Sequence, residues 1–339
     1  MTDARLTVAE ARALATRLLT ASGMPQGPAT RSAELLVLAD VWGIGSHGLL
    51  RLPYYLARLA AGGMNPVAEL RVVRDLGAVI AYDGADGLGH WQVWSAAETA
   101  AARAAEHGIA MASVGRSSHC GSLGLYTIPG LAQGLVSLVF STGPAVMAAP
   151  GTAVPLLSTS PIAAGVPTGP KPAIVDLATS AAARGKIAAH AKRGEPLPSG
   201  WAVDAEGVPT TDPVAALSGM LAPLGGGKGF ALAFLVEALA GACVGPELAT
   251  GVPDMFDPDS DGRAQRIGHL VVTLDPAAIG VDGDGPQRLD RLAKGIVAAG
   301  GRVPGSARPL PDQVDDDQPV TIAGPVLSEL DTWSGRLGL

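Results

Sequence analysis

The sequence predicts an α/β protein with a helical N-terminal part, and three observations indicate this class. Helix-forming patterns run through the first 65 residues. From residue 70 onward, short apolar runs bounded by glycine or proline alternate with alanine-rich stretches, as strands alternate with helices. The third observation is composition: 47% of the residues are hydrophobic and 16% are charged, which is typical of a folded chain with a large core.

The N-terminal helices are predicted from caps and spacing. Thr7 and Glu10 form a capping box before a helix that we expect to reach about residue 22. Apolar residues at helical spacing predict a second helix over 29–42, which ends at a glycine. A third helix is expected over 48–61, before a Gly-Gly pair.

Strands and helices mix in the rest of the chain. Short, β-branched apolar runs predict strands over 70–84, 109–114, 135–142, 172–178 and 269–276. Longer periodic stretches predict helices over 91–106, 228–243 and 286–299. The acidic segment 312–319 is expected to be a solvated loop.

Charge and cysteine content exclude several classes of protein. A net charge of −7 leaves no basic surface for nucleic acid. The first 20 residues contain no signal-peptide core, and the longest apolar run, 229–245, is interrupted by Glu237, so we expect no membrane association and a cytoplasmic location. Cys120 and Cys243 form neither a disulfide framework nor a metal-type cluster, so we expect a reducing compartment and no metal site.

A glycine-rich stretch raises the question of nucleotide binding. No convincing G-x-G-x-x-G fingerprint follows any predicted strand, and "GGGKG" (225–229) fails the P-loop pattern because Gly229 stands where Ser or Thr is needed. A dinucleotide would therefore bind to a scaffold other than the doubly wound fold.

Three polar blocks stand out from the apolar background. The first contains Ser46, His47 and Arg51; the second, "RSSHCGSLGLYT" (116–127), is centred on His119; the third, "DLATSAAARGK", begins at Asp176. Each alone has a structural explanation as a cap, a turn or a solvated helix face. Their occurrence together favours a functional site.

These blocks and their surroundings resemble the malate/L-lactate dehydrogenase family that lacks the usual dinucleotide fold. The resemblance runs from "SHGLLRLPYYLARLAAGGMNP" through "SSHCGSLGLY" and "DLATSAAARGKI" to "PLGGGKGFALAFLVEALAGACVG". The family also includes ureidoglycolate, sulfolactate and diketogulonate oxidoreductases and cyclic-imine carboxylate reductases. The resemblance implies a non-Rossmann NAD(P)-binding α/β domain over 76–289, a smaller helical domain built from 1–75 with 290–339, and a homodimer.

The chemistry of such an enzyme gives each polar residue a role. Arg51 can hold a substrate carboxylate with a two-pronged hydrogen bond. His47 can exchange a proton at the carbonyl or hydroxyl oxygen, since a histidine titrates near neutrality. The resemblance suggests that Asp176 contacts the far ring nitrogen of His47, and Ser46 would bond the substrate or the ring. His119 is the rival acid/base, and the sequence leaves the choice open.

The cofactor implied by the resemblance is NAD or NADP. It would contact Ser160, Pro161, Asp176, Leu177, Ala178, Ser180, Lys186, Lys228, Gly229 and Gly305. Glycines let backbone N–H groups approach a pyrophosphate, and Lys228 adds positive charge. The chain departs from the family twice, with Thr-Ser-Pro at 159–161 where Thr-Asn-Pro is common, and Pro-Gly-Ser at 304–306 where Pro-Gly-Glu is common.

The sequence therefore predicts an NAD(P)-dependent oxidoreductase that transfers a hydride between the cofactor and a small 2-hydroxy or 2-keto acid. One alternative is a reductase of a cyclic imine carboxylate, such as piperideine- or pyrroline-2-carboxylate. A hydrolase using Ser46, His47 and Asp176 is disfavoured, because sequence neighbours rarely face each other and no G-x-S-x-G elbow exists. A non-catalytic binding protein would leave the pairing of His47 with Arg51 unexplained.

Overall fold

The computed structural model describes residues 3–169, 171–255 and 257–339. Its helices are α1 (Val8–Ala21), α2 (Gln26–Val41), α3 (Leu52–Ala61), α4 (Gly89–His107), α5 (Ile128–Leu131), α6 (Arg184–Arg193), α7 (Pro213–Ser218), α8 (Gly227–Val236), α9 (Gly285–Ala298) and α10 (Gly324–Arg336). Its strands are β1 (Ala4–Thr7), β2 (Arg71–Asp75), β3 (Val79–Asp83), β4 (Ile109–Ser117), β5 (Val136–Ser141), β6 (Met147–Ala148), β7 (Pro155–Leu157), β8 (Ile162–Val166), β9 (Ala173–Leu177), β10 (Ala202–Val203), β11 (Pro209–Thr210), β12 (Met220–Leu221), β13 (Ile267–Leu274) and β14 (Pro319–Ile322). None of the helices in these ranges is both long enough and apolar enough to cross a membrane.

The largest sheet has seven strands in the order β2-β3-β4-β13-β5-β8-β9. Its one parallel pair is β3 with β4, and α4 supplies the long crossover that a parallel pair requires. The other neighbouring strands run antiparallel. This mixture of helices and sheets confirms the predicted α/β class.

A second sheet of five short strands, in the order β11-β10-β12-β6-β7, lies with α6 and α7. Ile187, Leu197, Ala202 and Leu221 form its small core. The sequence did not predict this sheet, because strands of two or three residues are too short to show an alternating pattern.

The N-terminal helices share a core with the C-terminal segment. Leu18, Leu36, Tyr55, Leu330 and Trp333 belong to one buried cluster. β1 pairs antiparallel with β14, which joins the two ends of the chain. The expected loop over 312–319 is only partly correct, since its first two residues belong to a short 3₁₀ turn, Pro311–Gln313, and its last residue begins β14.

Most helix predictions are confirmed, and two need correction. The Thr7–Glu10 capping box is present before α1. The predicted helix 48–61 is α-helical only from Leu52, because 3₁₀ turns occupy the segment before it. The helix predicted over 228–243 changes to a π-helical turn at Glu237, whose buried carboxylate accepts hydrogen bonds from Thr142 and Ala249.

Two contacts bear on the predicted domain boundaries. β2, which ends at residue 75, pairs with β3 in the large sheet. α9 spans residue 290 and packs through Ala293 against Ala173 of β9 and Val303. A boundary at 75 thus separates β2 from its partner β3, and a boundary at 290 divides α9. The division into two domains stays a prediction.

Candidate active site

The first polar block folds as two consecutive 3₁₀ turns between α2 and α3. Asp40, near the end of α2, accepts a hydrogen bond from the Leu49 amide at 2.8 Å. A Cβ on Gly48 would lie 2.1 Å from an oxygen of the same carboxylate, so the turn needs glycine here. Burial raises the pKa of Asp40 to about 6. Asp40 therefore fixes the turn that carries Ser46, His47 and Arg51.

Within this turn the three predicted residues contact one another. The Ser46 hydroxyl lies 3.0 Å from Nδ1 of His47, and Nε of Arg51 donates to the Ser46 carbonyl at 3.0 Å. Burial and the Arg51 charge lower the pKa of His47, and the Asp176 carboxylate acts in the opposite direction. The Ser46 hydroxyl thus engages Nδ1 of His47.

The second polar block lies directly beside the first. The rings of His47 and His119 stack with centroids 5.9 Å apart and an interplanar angle of 20°. Nδ1 of His119 lies 2.7 Å from the hydroxyl of Tyr55, a fully buried residue of α3. The main-chain N–H of His119 donates to Oε1 of Gln265 at 3.0 Å. Both candidate acid/base residues therefore belong to one site.

Asp176 lies at the end of β9 and joins the third block to the second. Its Oδ2 accepts hydrogen bonds from the Ser122 hydroxyl at 2.5 Å and from the Gly124 amide at 2.9 Å. The structure places its carboxylate on these two donors rather than on a ring nitrogen of His47, contrary to the bond expected from the sequence. Its negative charge raises the pKa of His47, against the larger effects of burial and of Arg51.

The segments predicted to bind the cofactor come together around β9. The Thr179 hydroxyl donates to the Ser160 carbonyl at 3.1 Å, and Ser160 has a positive φ of 42°. Ser180 forms an isolated bridge with Pro223, and the Leu224 amide donates to the Thr179 carbonyl at 2.8 Å. The glycine-rich turn at 225–229 is therefore adjacent to the end of β9.

The glycine-rich turn suits an anion. Gly225 and Gly226 have φ of 61° and 71° and open space beside them, whereas a Cβ on Gly229 would lie 2.2 Å from the Leu224 carbonyl oxygen. Lys228 is exposed in the first turn of α8. The free N–H groups of a helix N-terminus and a nearby cation attract phosphate. The turn therefore fits the pyrophosphate of a dinucleotide.

The other predicted cofactor residues flank the same edge of the sheet. Gly305 has φ 65°, and a Cβ there would lie 2.2 Å from the carbonyl oxygen of Ile174, two residues before Asp176. Pro161 precedes β8, Leu177 ends β9 with 40% of its surface exposed, and Ala178 follows. Lys186 is exposed in the first turn of α6, which begins four residues after Ser180.

Sequence reasoning missed the residues that hold the reactive ones in place. These residues are Asp40, Tyr55, Ser122 and Gly124. The partners of Tyr55, Ser122 and Gly124 are distant in the chain, and the partner of Asp40 is a main-chain amide, that of Leu49, which no side-chain pattern indicates. One argument against a hydrolase was also wrong, since the Ser46 hydroxyl does reach the ring of His47. Both lie in one tight turn, which brings neighbouring side chains together.

A nicotinamide-dependent oxidoreductase of carboxylates requires a proton-exchanging group, a cation for the carboxylate and a site for the phosphates of the cofactor. The histidine and arginine of the first turn and the helix N-terminus of α8 have the chemistry for these three tasks. Comparison with known proteins agrees. The profile of the malate/L-lactate dehydrogenase family matches residues 6–322, and the chain belongs to this family. The predicted family and enzyme class, an NAD(P)-dependent oxidoreductase, are thereby confirmed, and the hydrolase alternative is removed.

Three relatives illustrate the range of the family. A (2R)-3-sulfolactate dehydrogenase (NADP(+)) of Chromohalobacter salexigens is 38% identical over 306 residues, covering 89% of this chain and 90% of the relative. A Δ1-pyrroline-2-carboxylate reductase of Ancylobacter novellus is 37% identical over 278 residues, 81% of each chain. The structure of a sulfolactate dehydrogenase from Methanocaldococcus jannaschii superposes with a TM-score of 0.88 at 28% identity, covering 99% of this chain and 98% of that one.

Proposed function

We propose that the protein interconverts a small 2-keto acid and its 2-hydroxy acid, with sulfolactate- and malate-like acids as the substrate class and NADP(H) as the preferred cofactor. The observation that carries the proposal is the turn in which Arg51 and His47 are fixed to each other through Ser46. The turn thus keeps Arg51, which would bind the carboxylate, at a fixed distance from His47, which would exchange the proton. The name of the relative from Chromohalobacter salexigens supports both the substrate class and NADP.

In this mechanism Arg51 binds the substrate carboxylate and His47 exchanges the proton. The bound nicotinamide supplies the hydride for reduction or accepts it in oxidation. His47 gives its proton to the carbonyl oxygen during reduction and takes it from the hydroxyl during oxidation. Since the Arg51 charge lowers the pKa of His47, a carboxylate that neutralises Arg51 raises this pKa again. Substrate binding therefore prepares His47 to carry a proton.

The residues that would hold the cofactor surround the end of β9. Backbone N–H groups of the turn at 225–229 and Lys228 would bind the pyrophosphate. Ser160, Pro161, Leu177, Ala178, Ser180, Lys186, Gly229 and Gly305 would shape the remaining surface. We assign this site to a non-Rossmann α/β domain, because most neighbouring strands of its sheet run antiparallel.

We also propose the division into two domains, with boundaries moved by the contacts of β2 and α9. The smaller helical domain would contain the chain up to the end of α3 and its connection, together with the segment from about residue 310. The larger α/β domain would contain both sheets, β2 and α9. We propose a cytoplasmic location, since Cys120 and Cys243 are both free thiols.

A panel of substrates tests the proposed activity. Oxidation of NADPH and of NADH is followed by absorbance with sulfopyruvate, oxaloacetate, pyruvate, pyrroline-2-carboxylate and piperideine-2-carboxylate. We expect one of the keto acids to give the highest kcat/KM, with NADPH preferred. Turnover of the cyclic imines alone would establish the alternative, which the relative from Ancylobacter novellus supports.

Arg51→Lys is expected to raise KM about 10- to 100-fold for every carboxylate substrate and to change kcat far less. Lysine keeps the charge but loses the planar fork, and a hydrogen bond between charged groups contributes about 1.5–3 kcal/mol. Steady-state kinetics with two keto acids measure the effect, and Arg71→Lys on the exposed strand β2 is the control. An unchanged KM would remove Arg51 from the carboxylate site.

We propose a homodimer, with α8 as part of the subunit contact. Leu232, Phe234 and Leu235 are 43%, 62% and 48% exposed on this helix, although "ALAFLV" has no polar residue. An exposed apolar helix face is covered by another part of the protein or by a partner in most stable proteins. The resemblance that implies a dimer also places active sites near the subunit contact.

Phe234→Glu is therefore expected to convert the dimer to a monomer and to abolish most of the activity. A buried, unpaired carboxylate in an interface on the order of 2,000 Å² or more is strongly unfavourable. Light scattering and activity are measured on the same samples, with Val281→Glu, which alters a fully exposed valine, as the control. A fully active wild-type species of 34.0 kDa would contradict the proposal.

A further inference from the structure

The ring of His119 is held at one nitrogen by two groups. The Tyr55 hydroxyl lies 2.7 Å from Nδ1, and the Gly121 amide donates to the same atom at 3.3 Å. Gly121 follows by two residues, in a turn with φ 73°. Within the described part of the chain, Nδ1 is the ring atom that takes part in both of these hydrogen bonds.

We infer that Tyr55 and Gly121 hold His119 as a neutral imidazole with its proton on Nε2, so that His119 donates a hydrogen bond to the substrate and exchanges no proton with it. The inference rests on the proposed function, since it assigns a role within that site. A main-chain N–H can only donate, so its approach to Nδ1 requires a lone pair there. A neutral imidazole with a lone pair on Nδ1 carries its proton on Nε2.

Tyr55 strengthens this arrangement. Its side chain is fully buried, and burial raises the pKa of its phenol well above 10, so it stays protonated. With the lone pair of Nδ1 facing it, the hydroxyl donates as well. An imidazolium at this position would instead direct its Nδ1 proton at the Gly121 N–H, leaving two donors facing each other.

The surrounding charges separate His119 from His47. The groups acting on His119, besides burial, are His47, Arg51, His90 and His269, and each is positive when ionised. All of them lower the pKa of His119, as burial does. His47 differs because Asp176 also acts on it and raises its pKa. Among the described residues, the charge of Asp176 therefore favours the positive form of His47, whereas the neighbouring charges that act on His119 oppose its positive form.

The two histidines then have separate roles. His47 moves the proton, and the Nε2–H of His119 donates to an oxygen of the substrate. A fixed neutral donor that stabilises developing negative charge on oxygen contributes to catalysis without a change in its own protonation. Tyr55 is the positioning residue, since it acts through His119.

Nitrogen NMR of the whole enzyme labelled at histidine tests the inference without using turnover. Two-bond proton–nitrogen correlations distinguish the Nε2–H tautomer, the Nδ1–H tautomer and the imidazolium, and the His119→Gln variant assigns the signal. We expect the Nε2–H pattern throughout the range from about pH 6 to 8. An Nδ1–H pattern, or titration within this range, would overturn the inference even if the proposed activity were correct.

Tyr55→Phe is expected to allow His119 to reorient or titrate, seen as a changed pattern or a pH-dependent nitrogen shift. Tyr54→Phe is the matched control, since the ring of Tyr54 lies near the Arg58 guanidinium, and its spectrum should match the wild type. If Tyr55→Phe leaves the His119 signal unchanged, Tyr55 is not the positioning residue.

Two substitutions at His119 test its role in the reaction. Glutamine offers an N–H near the position of Nε2, so the kcat of His119→Gln should stay within about tenfold of the wild-type value. Leucine offers no donor, so the kcat of His119→Leu should fall by about 10²–10³-fold. The pH dependence of His119→Gln should match that of the wild type. Equal losses in both variants, or a missing limb in the pH profile, would show that His119 exchanges the proton.

Discussion

Replacing His47 by alanine is expected to lower kcat by about 10²–10⁴-fold while binding of NAD(P)H survives. The His47 ring contacts Ser46 in the turn that also carries Arg51, whereas the pyrophosphate is assigned to the glycine-rich turn at 225–229. A positioned acid/base contributes an effect of this size, because it supplies or removes a proton in the transition state. The reduction should also slow as pH rises through the lowered pKa of His47, and this limb should be absent from the variant.

Single-turnover kinetics measure the loss in the chemical step, and fluorescence titration with NADPH measures whether cofactor binding survives. His47→Gln is a useful second variant, since glutamine can donate a hydrogen bond but cannot exchange a proton at neutral pH. It should lose nearly as much activity as His47→Ala. Near-normal turnover in either variant, together with inactivity of His119→Leu, would reverse the roles of the two histidines.

Local sequence patterns predicted much of the fold. The capping box at Thr7 and Glu10, the alanine-rich α4 and the apolar strands β5 and β9 depend on residues close together in the chain, and all are present. The order of strands in the sheets does not depend on local patterns. β13 lies between β4 and β5, more than 100 residues away, and no spacing within any segment indicates this.

In the candidate site too, residues within one short block could be predicted, whereas contacts between distant residues could not. Ser46, His47 and Arg51 were identifiable because they are reactive side chains in one short block. Tyr55 was not, because a tyrosine in an apolar helix is normally explained as core. Its role depends on His119, 64 residues away. The contact of Asp176 with Ser122 likewise joins residues 54 apart. Sequence indicates which groups are reactive, and tertiary contacts decide what holds them.

Gly48→Ala is expected to reduce kcat/KM by about 10²-fold or more, although the residue carries no reactive group. Its Cβ would lie 2.1 Å and 2.4 Å from the two carboxylate oxygens of Asp40, and 2.2 Å from the carbon between them. Either the carboxylate or the turn must move. The turn carries His47 and Arg51, and a displacement of about 1 Å in a catalytic geometry can cost about 10²-fold.

A double variant identifies the cause of this loss. The Asp40→Ala/Gly48→Ala variant lacks the carboxylate that the new Cβ would contact. Its kcat/KM should therefore be no lower than that of Asp40→Ala alone. Asp40→Ala itself lacks only the acceptor for the Leu49 amide. Gly45→Ala is the matched control in the same turn, because its Cβ would lie at an ordinary 3.5 Å from Asp40 Oδ1, and its effect should be far milder. Kinetics are compared on samples whose circular dichroism matches the wild type. If the losses of the two single variants simply multiply in the double variant, then Asp40 does not fix the turn, and the requirement for glycine at position 48 has another origin.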